Sequence, residues 1–159
     1  MQVIDLLNPD RVSVDAVARS KKRALEIASE LLVKGQEDTA TRAVFSSLCA
    51  REKLGSTGFG RGVAIPHGRI ADADIVSGAF MRLKDPVDFD SSDGLAVDLI
   101  FALAVPSECE ERHLELLSQV AELFDDKELC DDLRKLDDYE AIMERLKAWQ
   151  AQRISGSLS

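Results

Sequence analysis

Apolar residues recur along this chain with two different spacings, which alternate from one segment to the next. Recurrence every three to four residues is typical of one face of an α-helix, and short β-prone runs are typical of strands. The sequence predicts helices over residues 20–34, 39–53, 108–124, 127–135 and 138 to about 152. It predicts strands over residues 12–14, 62–66, 75–83 and 96–105. Strands mixed with helices in this way favour an α/β layer structure over a helical bundle.

The last predicted strand and the helix after it carry the first hint of a site. The strand 96–105 is apolar except for Asp98, which is typical of a central strand covered by helices on both faces. Ser107 and Glu110 have the spacing of a capping box, so His113 falls in the second turn of the next helix. Backbone N–H groups and the positive end of the helix dipole can receive an anion there. The alternative is that His113 is a hydrogen-bonded core residue.

Length and composition are those of one globular domain. A chain of 159 residues with 45% hydrophobic residues can bury a core but leaves no room for a second domain. We expect the domain to cover residues 1–154 and residues 155–159 to form a flexible tail. The 29 acidic residues outnumber the 20 basic ones, giving a net charge of -9, and no stretch concentrates Lys and Arg. This argues against a nucleic-acid footprint, so we expect the macromolecular partners to be proteins.

No segment predicts export, membrane insertion or a metal site. The N-terminus lacks the basic and apolar regions of a signal peptide, and no apolar run approaches the ~20 residues of a membrane helix. Cys49, Cys109 and Cys130 are odd in number and lack metal-ligand spacing, which is typical of reduced cysteines. The acidic run 85–93 is interpreted as a solvated turn. We therefore expect a cytoplasmic protein that needs no metal and no cofactor.

The strongest candidate for chemistry is the run 60–68, which contains one of the two histidines. Its Val-Ala-Ile triplet predicts a short strand, and Pro66 should end this strand because proline cannot donate to a ladder. His67 is thereby placed at a strand end, where Gly68 allows backbone or a ligand to approach the imidazole. The glycines between 55 and 62 predict a loop with positive φ angles and match neither a P-loop nor a dinucleotide fingerprint. The alternative is that His67 is an ordinary turn residue.

Two segments of this region carry a family resemblance. Residues 51–58, of sequence REKLGSTG, and the run 60–68 after them resemble the active-site signature of the type-2 enzyme IIA domains of the bacterial phosphoenolpyruvate-dependent phosphotransferase system. His113, in the segment 110–117, is similar to the second active-site histidine of that family in local sequence and in its distance from the first. The resemblance extends from residues 3–7 to the last helix. It implies a single domain with a mixed β-sheet of about five strands, flanked by helices on both faces.

The resemblance also implies a reaction. The neutral imidazole of His67 would accept a phosphoryl group through Nε2 from a phosphohistidine carrier, with Nδ1 held by a local hydrogen bond and no nucleotide required. Negative charge on the phosphoryl oxygens needs donors, which Arg51 can supply as a planar fork and His113 as an N–H. Three further candidates for the phosphoryl-binding loop are Ser56, Thr57 and Gly68. The two hydroxyls can equally serve the turn.

Within the family, the chain is most similar to the nitrogen-regulatory branch, judged by residues 51–60 and the HLELL run that begins at His113. That branch implies a nitrogen-type HPr-like phosphocarrier as donor, and regulatory targets such as potassium-transport or sensor proteins. Phe59 and Arg61 lie in the loop expected to shape the docking face, so carrier choice can differ from that of relatives. Two alternatives stay open: a fructose- or mannitol-type IIA subunit that passes the phosphoryl group to a IIB protein, and a non-catalytic binding module.

Overall fold

A computed structural model describes residues 2–34, 38–71, 76–108 and 110–158 of the chain. Two short 3-10 helices, Val3–Leu6 and Pro9–Arg11, open the fold. The strands are β1 (Val12–Ala16), β2 (Gly58–Gly60), β3 (Val63–Ala64), β4 (His67–Ile70), β5 (Ser77–Val87) and β6 (Val97–Pro106). The α-helices are α1 (Lys21–Leu32), α2 (Asp38–Lys53), α3 (Glu110–Asp125), α4 (Lys127–Leu133) and α5 (Tyr139–Leu158).

The strands of the described chain form one mixed sheet. Its order is β1-β5-β6-β3-β2, and β4 also pairs with β6. β3 and β4 lie end to end along the same edge of β6 and run parallel to it, whereas β5 runs antiparallel to β6 on the other side. The α/β class and the mixed sheet are confirmed. The sheet has six strands rather than about five, because β2 and β4 flank the one short strand predicted at 62–66.

Helices cover both faces of the sheet, as β6 shows most clearly. Its side chains alternate, so Leu99, Phe101 and Leu103 join one buried cluster with residues of α3, α4 and α5. Ile100 and Ala102 point the other way and join a second cluster with residues of α1 and α2. The expectation of a central strand covered on both faces is therefore confirmed.

The region around Pro66 differs from its prediction in one respect. The strand 62–66 is shorter than predicted, because only Val63 and Ala64 pair with β6. His67 does not end a strand; it begins β4, and residues 67–70 pair with residues 103–106 of β6. The carbonyl oxygen of Pro66 still accepts from the N–H of Leu103 at 3.0 Å, so the chain stays beside β6 between β3 and β4. The N–H of Ile65 donates to the carbonyl oxygen of Thr57 instead of to β6, and the carbonyl oxygen of Ile65 is available to a side-chain partner.

Several element boundaries also differ from the predicted ones. β5 continues to Val87 through Asp85 and Pro86, and Phe89 and Ser91 are buried, so the interpretation of 85–93 as a solvated turn is wrong for these residues. A register shift between Arg82 and Val87 explains how the strand accommodates a proline.

Two helices also have shifted ends. α3 begins at Glu110 rather than Glu108. α5 ends at Leu158 rather than near Gln152, so its backbone includes residues 155–158 of the predicted tail. Three of the positions outside the described residues concern the sequence predictions: Gly35, which follows the predicted helix 20–34 where a C-cap glycine is expected, Ile75 at the start of the predicted strand 75–83, and Cys109.

Among the described residues, no helix combines the length and apolar character needed to span a bilayer. No group of three or more His, Cys, Asp and Glu side chains among them is arranged to hold a metal ion.

Candidate active site

His67 occupies the first position of β4, opposite Leu103 of β6. Its Nδ1 lies 2.8 Å from the carbonyl oxygen of Ile65. A carbonyl oxygen can only accept a hydrogen bond, so Nδ1 must carry the proton of the neutral ring. The lone pair is then on Nε2. The backbone conformation just before β4 therefore selects this tautomer.

The surroundings of His67 keep its ring uncharged at neutral pH. Burial lowers the pKa of His67 below the ordinary value of 6.5 because it disfavours the imidazolium. The Ile65 carbonyl raises this pKa, the guanidinium of Arg51 lowers it and the Glu52 carboxylate raises it, but the net direction is downward. An uncharged imidazole is the form that can attack an electrophile.

His113 lies beside His67 and is buried, with 6% of its surface exposed. The two ring centroids are 5.2 Å apart and the planes meet at 80°. Burial, followed by the charges of His67, Arg69 and Arg51, lowers the pKa of His113 to about 4, against an opposing effect of Glu110. Its buried Nδ1 has no hydrogen-bond partner among the described residues. A neutral ring with its proton on Nε2 avoids burying an unpaired N–H and leaves one donor for a ligand.

Arg51 lies in the last turn of α2 and lines the pocket that contains both histidines. Its Nη1 donates a hydrogen bond of 2.8 Å to the carbonyl oxygen of Gly55. A guanidinium has five N–H donors, so this bond orients the group and leaves other donors free. The structure thus brings together Arg51, His67 and His113, the three residues that the sequence singled out for chemistry.

Ser56 and Thr57 belong to the loop rather than to the pocket. The Ser56 hydroxyl donates to the carbonyl oxygen of Phe89 and accepts from the N–H of Gly58. The Thr57 hydroxyl and N–H both donate to the carboxylate of Glu52, the hydroxyl in a short bond. Of the two readings left open by the sequence, this geometry favours the one in which both hydroxyls serve the turn.

Glu52 is a residue that sequence reasoning missed. Its side chain is only 5% exposed and lies 2.9 Å from Nζ of Lys21, at the start of α1. It holds Thr57, whose carbonyl oxygen in turn accepts from the N–H of Ile65 at 3.0 Å. The carboxylate therefore ties the end of α2 to the residue that orients His67. The sequence signal was a glutamate next to Arg51, which is too common on helices to stand out.

Gly68 lines the pocket, so its predicted place beside the phosphoryl group stays a prediction. The structure adds a packing reason for the glycine, because a Cβ there would lie 2.3 Å from Oγ and 3.0 Å from Cβ of Ser47 in α2. Ser47 also donates through Oγ to the carbonyl oxygen of Arg69 at 3.0 Å. Gly68 therefore lets α2 pack against the strand that carries His67.

Arg69 is a second pocket residue that sequence reasoning missed. It lies two positions after His67 on β4, so the two side chains share one face of the strand. This period-two spacing was the available signal. It depended on recognising that a strand begins at His67, whereas the sequence predicted that one ends there.

Arg61 lies away from the pocket. The carbonyl oxygen of neighbouring Gly62 accepts from the N–H of Asp98, whereas His67 pairs with Leu103. Five residues along β6 separate the two places by roughly 17 Å. The guanidinium of Arg61 is paired with Asp125 at 3.2 Å. Arg61 therefore does not line the pocket of His67, and its part in the docking face stays a prediction.

The fold and this pocket coincide with a known family. Residues 5–149 match the family described as "Phosphoenolpyruvate-dependent sugar phosphotransferase system, EIIA 2". The chain therefore belongs to the type-2 EIIA proteins of the phosphotransferase system, a family in which a histidine transfers phosphoryl groups.

Within the family, the similarities favour the nitrogen-regulatory members. The chain is 44% identical over 137 residues to a nitrogen regulatory protein of Pseudomonas aeruginosa, which covers 86% of this chain and 89% of that protein. The crystal structure of the nitrogen regulatory protein IIA-Ntr from Neisseria meningitidis matches with a TM-score of 0.83 and 41% identity, covering 91% of this chain and 98% of that one. A fructose-specific EIIABC component of Bacillus subtilis is 29% identical over 144 residues, which are 91% of this chain and 23% of that protein.

Proposed function

We propose that this protein is a nitrogen-regulatory IIA protein that accepts a phosphoryl group on Nε2 of His67. The observation that carries the proposal is the hydrogen bond from Nδ1 of His67 to the carbonyl oxygen of Ile65 at 2.8 Å. It fixes the tautomer, aims one nitrogen away from the backbone, and supports the ring after it has reacted. The donor would be a nitrogen-type HPr-like phosphocarrier.

The transfer balances without a cofactor. The lone pair on Nε2 of His67 attacks phosphorus in line and forms a new P–N bond. The old P–N bond breaks, and its electron pair stays on the carrier's histidine, which leaves as a neutral imidazole if its other nitrogen was protonated. His67 keeps its proton on Nδ1 and becomes a phosphorylated imidazolium. The Ile65 carbonyl stabilises that positive ring.

Arg51 and His113 would stabilise the charge of the phosphoryl oxygens. The guanidinium of Arg51 lies at the pocket and offers a planar pair of donors that match two phosphoryl oxygens. His113 is edge to face with His67 and has one N–H to offer. Both groups act where charge spreads over the phosphoryl oxygens, which is where fixed donors accelerate the transfer most.

A phosphoryl group on His67 would also be a signal. It adds nearly two negative charges beside the exposed apolar side chains of Leu54 and Leu114, which line the same pocket. A protein that docks on this face would distinguish the two states by charge. Identities of 44% to a nitrogen regulatory protein and 29% to a fructose component favour regulatory targets, such as potassium-transport or sensor proteins, over a IIB acceptor.

The test is phosphorylation with purified components. The protein is incubated with phosphoenolpyruvate, the general phosphotransferase enzyme and either a nitrogen-type or a sugar-type carrier, and intact mass is followed. We expect one acid-labile phosphoryl group, faster from the nitrogen-type carrier. His67→Ala should abolish the gain in mass, whereas the matched variant His113→Ala should slow it but still reach one phosphoryl group.

Each outcome separates the candidate functions. Absence of phosphorylation with both carriers would overturn the proposal and favour a binding module. Fast phosphorylation by the sugar-type carrier, followed by transfer to a IIB protein, would establish the sugar-transport alternative. A His67→Ala protein that still gains the phosphoryl group would place the acceptor elsewhere.

A further inference from the structure

The second guanidinium of the pocket, that of Arg69, is not free in this structure. Its Nη2 lies 3.1 Å from Oε1 of Glu110, the first residue of α3. The side chains of Arg69 and Glu110 are 47% and 67% exposed. Within the described residues, neither side chain makes a hydrogen bond other than the one between them. An ion pair this exposed contributes little to the stability of a fold. Its position at the phosphoryl pocket therefore calls for another explanation.

The pair of Arg69 and Glu110 joins β4 to α3, as the pair of His67 and His113 does. His67 and Arg69 are two positions apart on one face of β4, and their α-carbons are separated by roughly 7 Å. Glu110 and His113 are three positions apart on one face of α3, with an axial rise of about 4.5 Å between them. Because His67 meets His113 and Arg69 meets Glu110, α3 runs antiparallel to β4 with matched register. Arg69 is therefore held at the side of His67.

We propose that Arg69 binds the phosphoryl group once it is on His67, and that Glu110 competes with that group for the guanidinium. This inference rests on the function proposed above. In the unphosphorylated protein Arg69 pairs with Glu110. In the phosphorylated protein it turns to the phosphoryl oxygens, and the carboxylate of Glu110 is released.

The charges favour this exchange of partners. A phosphoryl group carries nearly two negative charges and three acceptor oxygens, against one charge on Glu110, and it accepts two parallel hydrogen bonds from a guanidinium. Glu110 loses little when it is released, because a carboxylate in the first turn of α3 is stabilised by the helix dipole.

Two opposite effects on the phosphotransfer equilibrium follow. Arg69 stabilises the phosphorylated form, and Glu110 limits that stabilisation, so that the phosphoryl group can still be passed back to the carrier. The pair therefore sets the fraction of the protein that is phosphorylated at a given ratio of phosphorylated to free carrier.

The experiment measures that equilibrium constant for full-length variants. A hydrogen bond to a charged group is worth about tenfold in an equilibrium, so Arg69→Gln should lower the constant about tenfold. Glu110→Gln should raise it about threefold, since it removes only an exposed competitor. The double variant should match Arg69→Gln alone, because Glu110 acts through Arg69. Arg69→Lys should restore part of the loss.

A matched control and a second readout exclude a merely structural role. Arg61 and Asp125 form a pair of similar length, 3.2 Å, and similar exposure at the other end of β6, so Arg61→Gln should leave the constant unchanged. In ³¹P NMR, loss of the Arg69 cation should raise the pKa of the phosphoryl group, while Arg61→Gln should not.

The inference and the proposed function can fail separately. If the wild-type protein is phosphorylated but Arg69→Gln behaves like Arg61→Gln in both readouts, the inference is wrong and the function stands. The inference is also overturned if the effects of Arg69→Gln and Glu110→Gln simply add in the double variant. If the wild-type protein is not phosphorylated at all, the proposed function fails first.

Discussion

Gly68→Ala is the substitution that tests most directly how the scaffold places His67. The added Cβ would lie 2.3 Å from Oγ and 3.0 Å from Cβ of Ser47, and 3.3 Å from the backbone carbon of Ser47. Neither α2 nor β4 can move freely, because α2 also contacts the sheet core through Leu48. We therefore expect the strand to be pushed away from the helix, and the imidazole of His67 with it.

The size of the effect follows from two opposed terms. Overpacking of this kind costs about 1–3 kcal/mol. Replacing glycine stiffens the unfolded chain, which stabilises the fold by about 0.4–1 kcal/mol. The net loss should be about 1–2 kcal/mol, measured as a lower midpoint in urea unfolding with an unchanged slope. The rate of phosphorylation should fall as well.

Ser47→Ala removes the oxygen atom that the added Cβ of Gly68→Ala would overlap, so it can be combined with Gly68→Ala. Alone it removes the hydrogen bond from Oγ to the Arg69 carbonyl oxygen and should cost about 1 kcal/mol. In the double variant the 2.3 Å overlap is gone, and the contacts at 3.0 Å and 3.3 Å remain. The two changes together should therefore cost clearly less than the sum of the single changes. Additive losses, or a Gly68→Ala protein as stable as wild type, would refute the packing role of Gly68.

Three further predictions concern charge and turn geometry. Burial lowers the pKa of His113 to about 4, so the imidazole takes up a proton on unfolding when the pH is below 6.5. The free energy of unfolding should therefore fall by on the order of 3 kcal/mol as the pH drops from 7 to 4. In urea unfolding at a series of pH values, His113→Gln should reduce this dependence on pH. Because its pKa is also lowered, the His67 ring should stay neutral in an NMR titration to below pH 6.5, and Arg51→Gln should move its titration to higher pH. Arg61 has a φ of 56° and precedes a glycine with a φ of 82°. Asn-Gly suits such a hairpin turn, so Arg61→Asn should unfold at no lower urea concentration and be phosphorylated at the wild-type rate; a slower rate would mean that this hairpin contacts the carrier.

The long elements and the histidines that meet in the pocket were predictable from the sequence because each has a strong local signal. Residues 97–105 are apolar almost without interruption, and α1 has Ser20 at its N-cap, where the side chain accepts from the N–H of Arg23. His67 stands out because a histidine between proline and glycine follows an apolar triplet. His113 stands out because a helix begins shortly before it.

What the sequence did not reveal depends on contacts between distant segments. β2, β3 and β4 are each four residues or shorter, and at that length pairing with β6 decides the structure rather than local preference. The role of Gly68 required knowing that Ser47 lies opposite it. Glu52 acts on Ile65 through Thr57, which lies eight residues before Ile65. Arg69 pairs with Glu110 on α3. No local sequence pattern connects either residue with the one on which it acts.

The matched register of β4 and α3 restricts changes of length in the first turn of α3. One residue added between Glu110 and His113 would rotate one of them relative to the other by about 100° around the helix axis. The two cross-element pairs, His67 with His113 and Arg69 with Glu110, would then no longer form at the same time. Substitutions within this turn at other positions should therefore be tolerated far better than insertions or deletions.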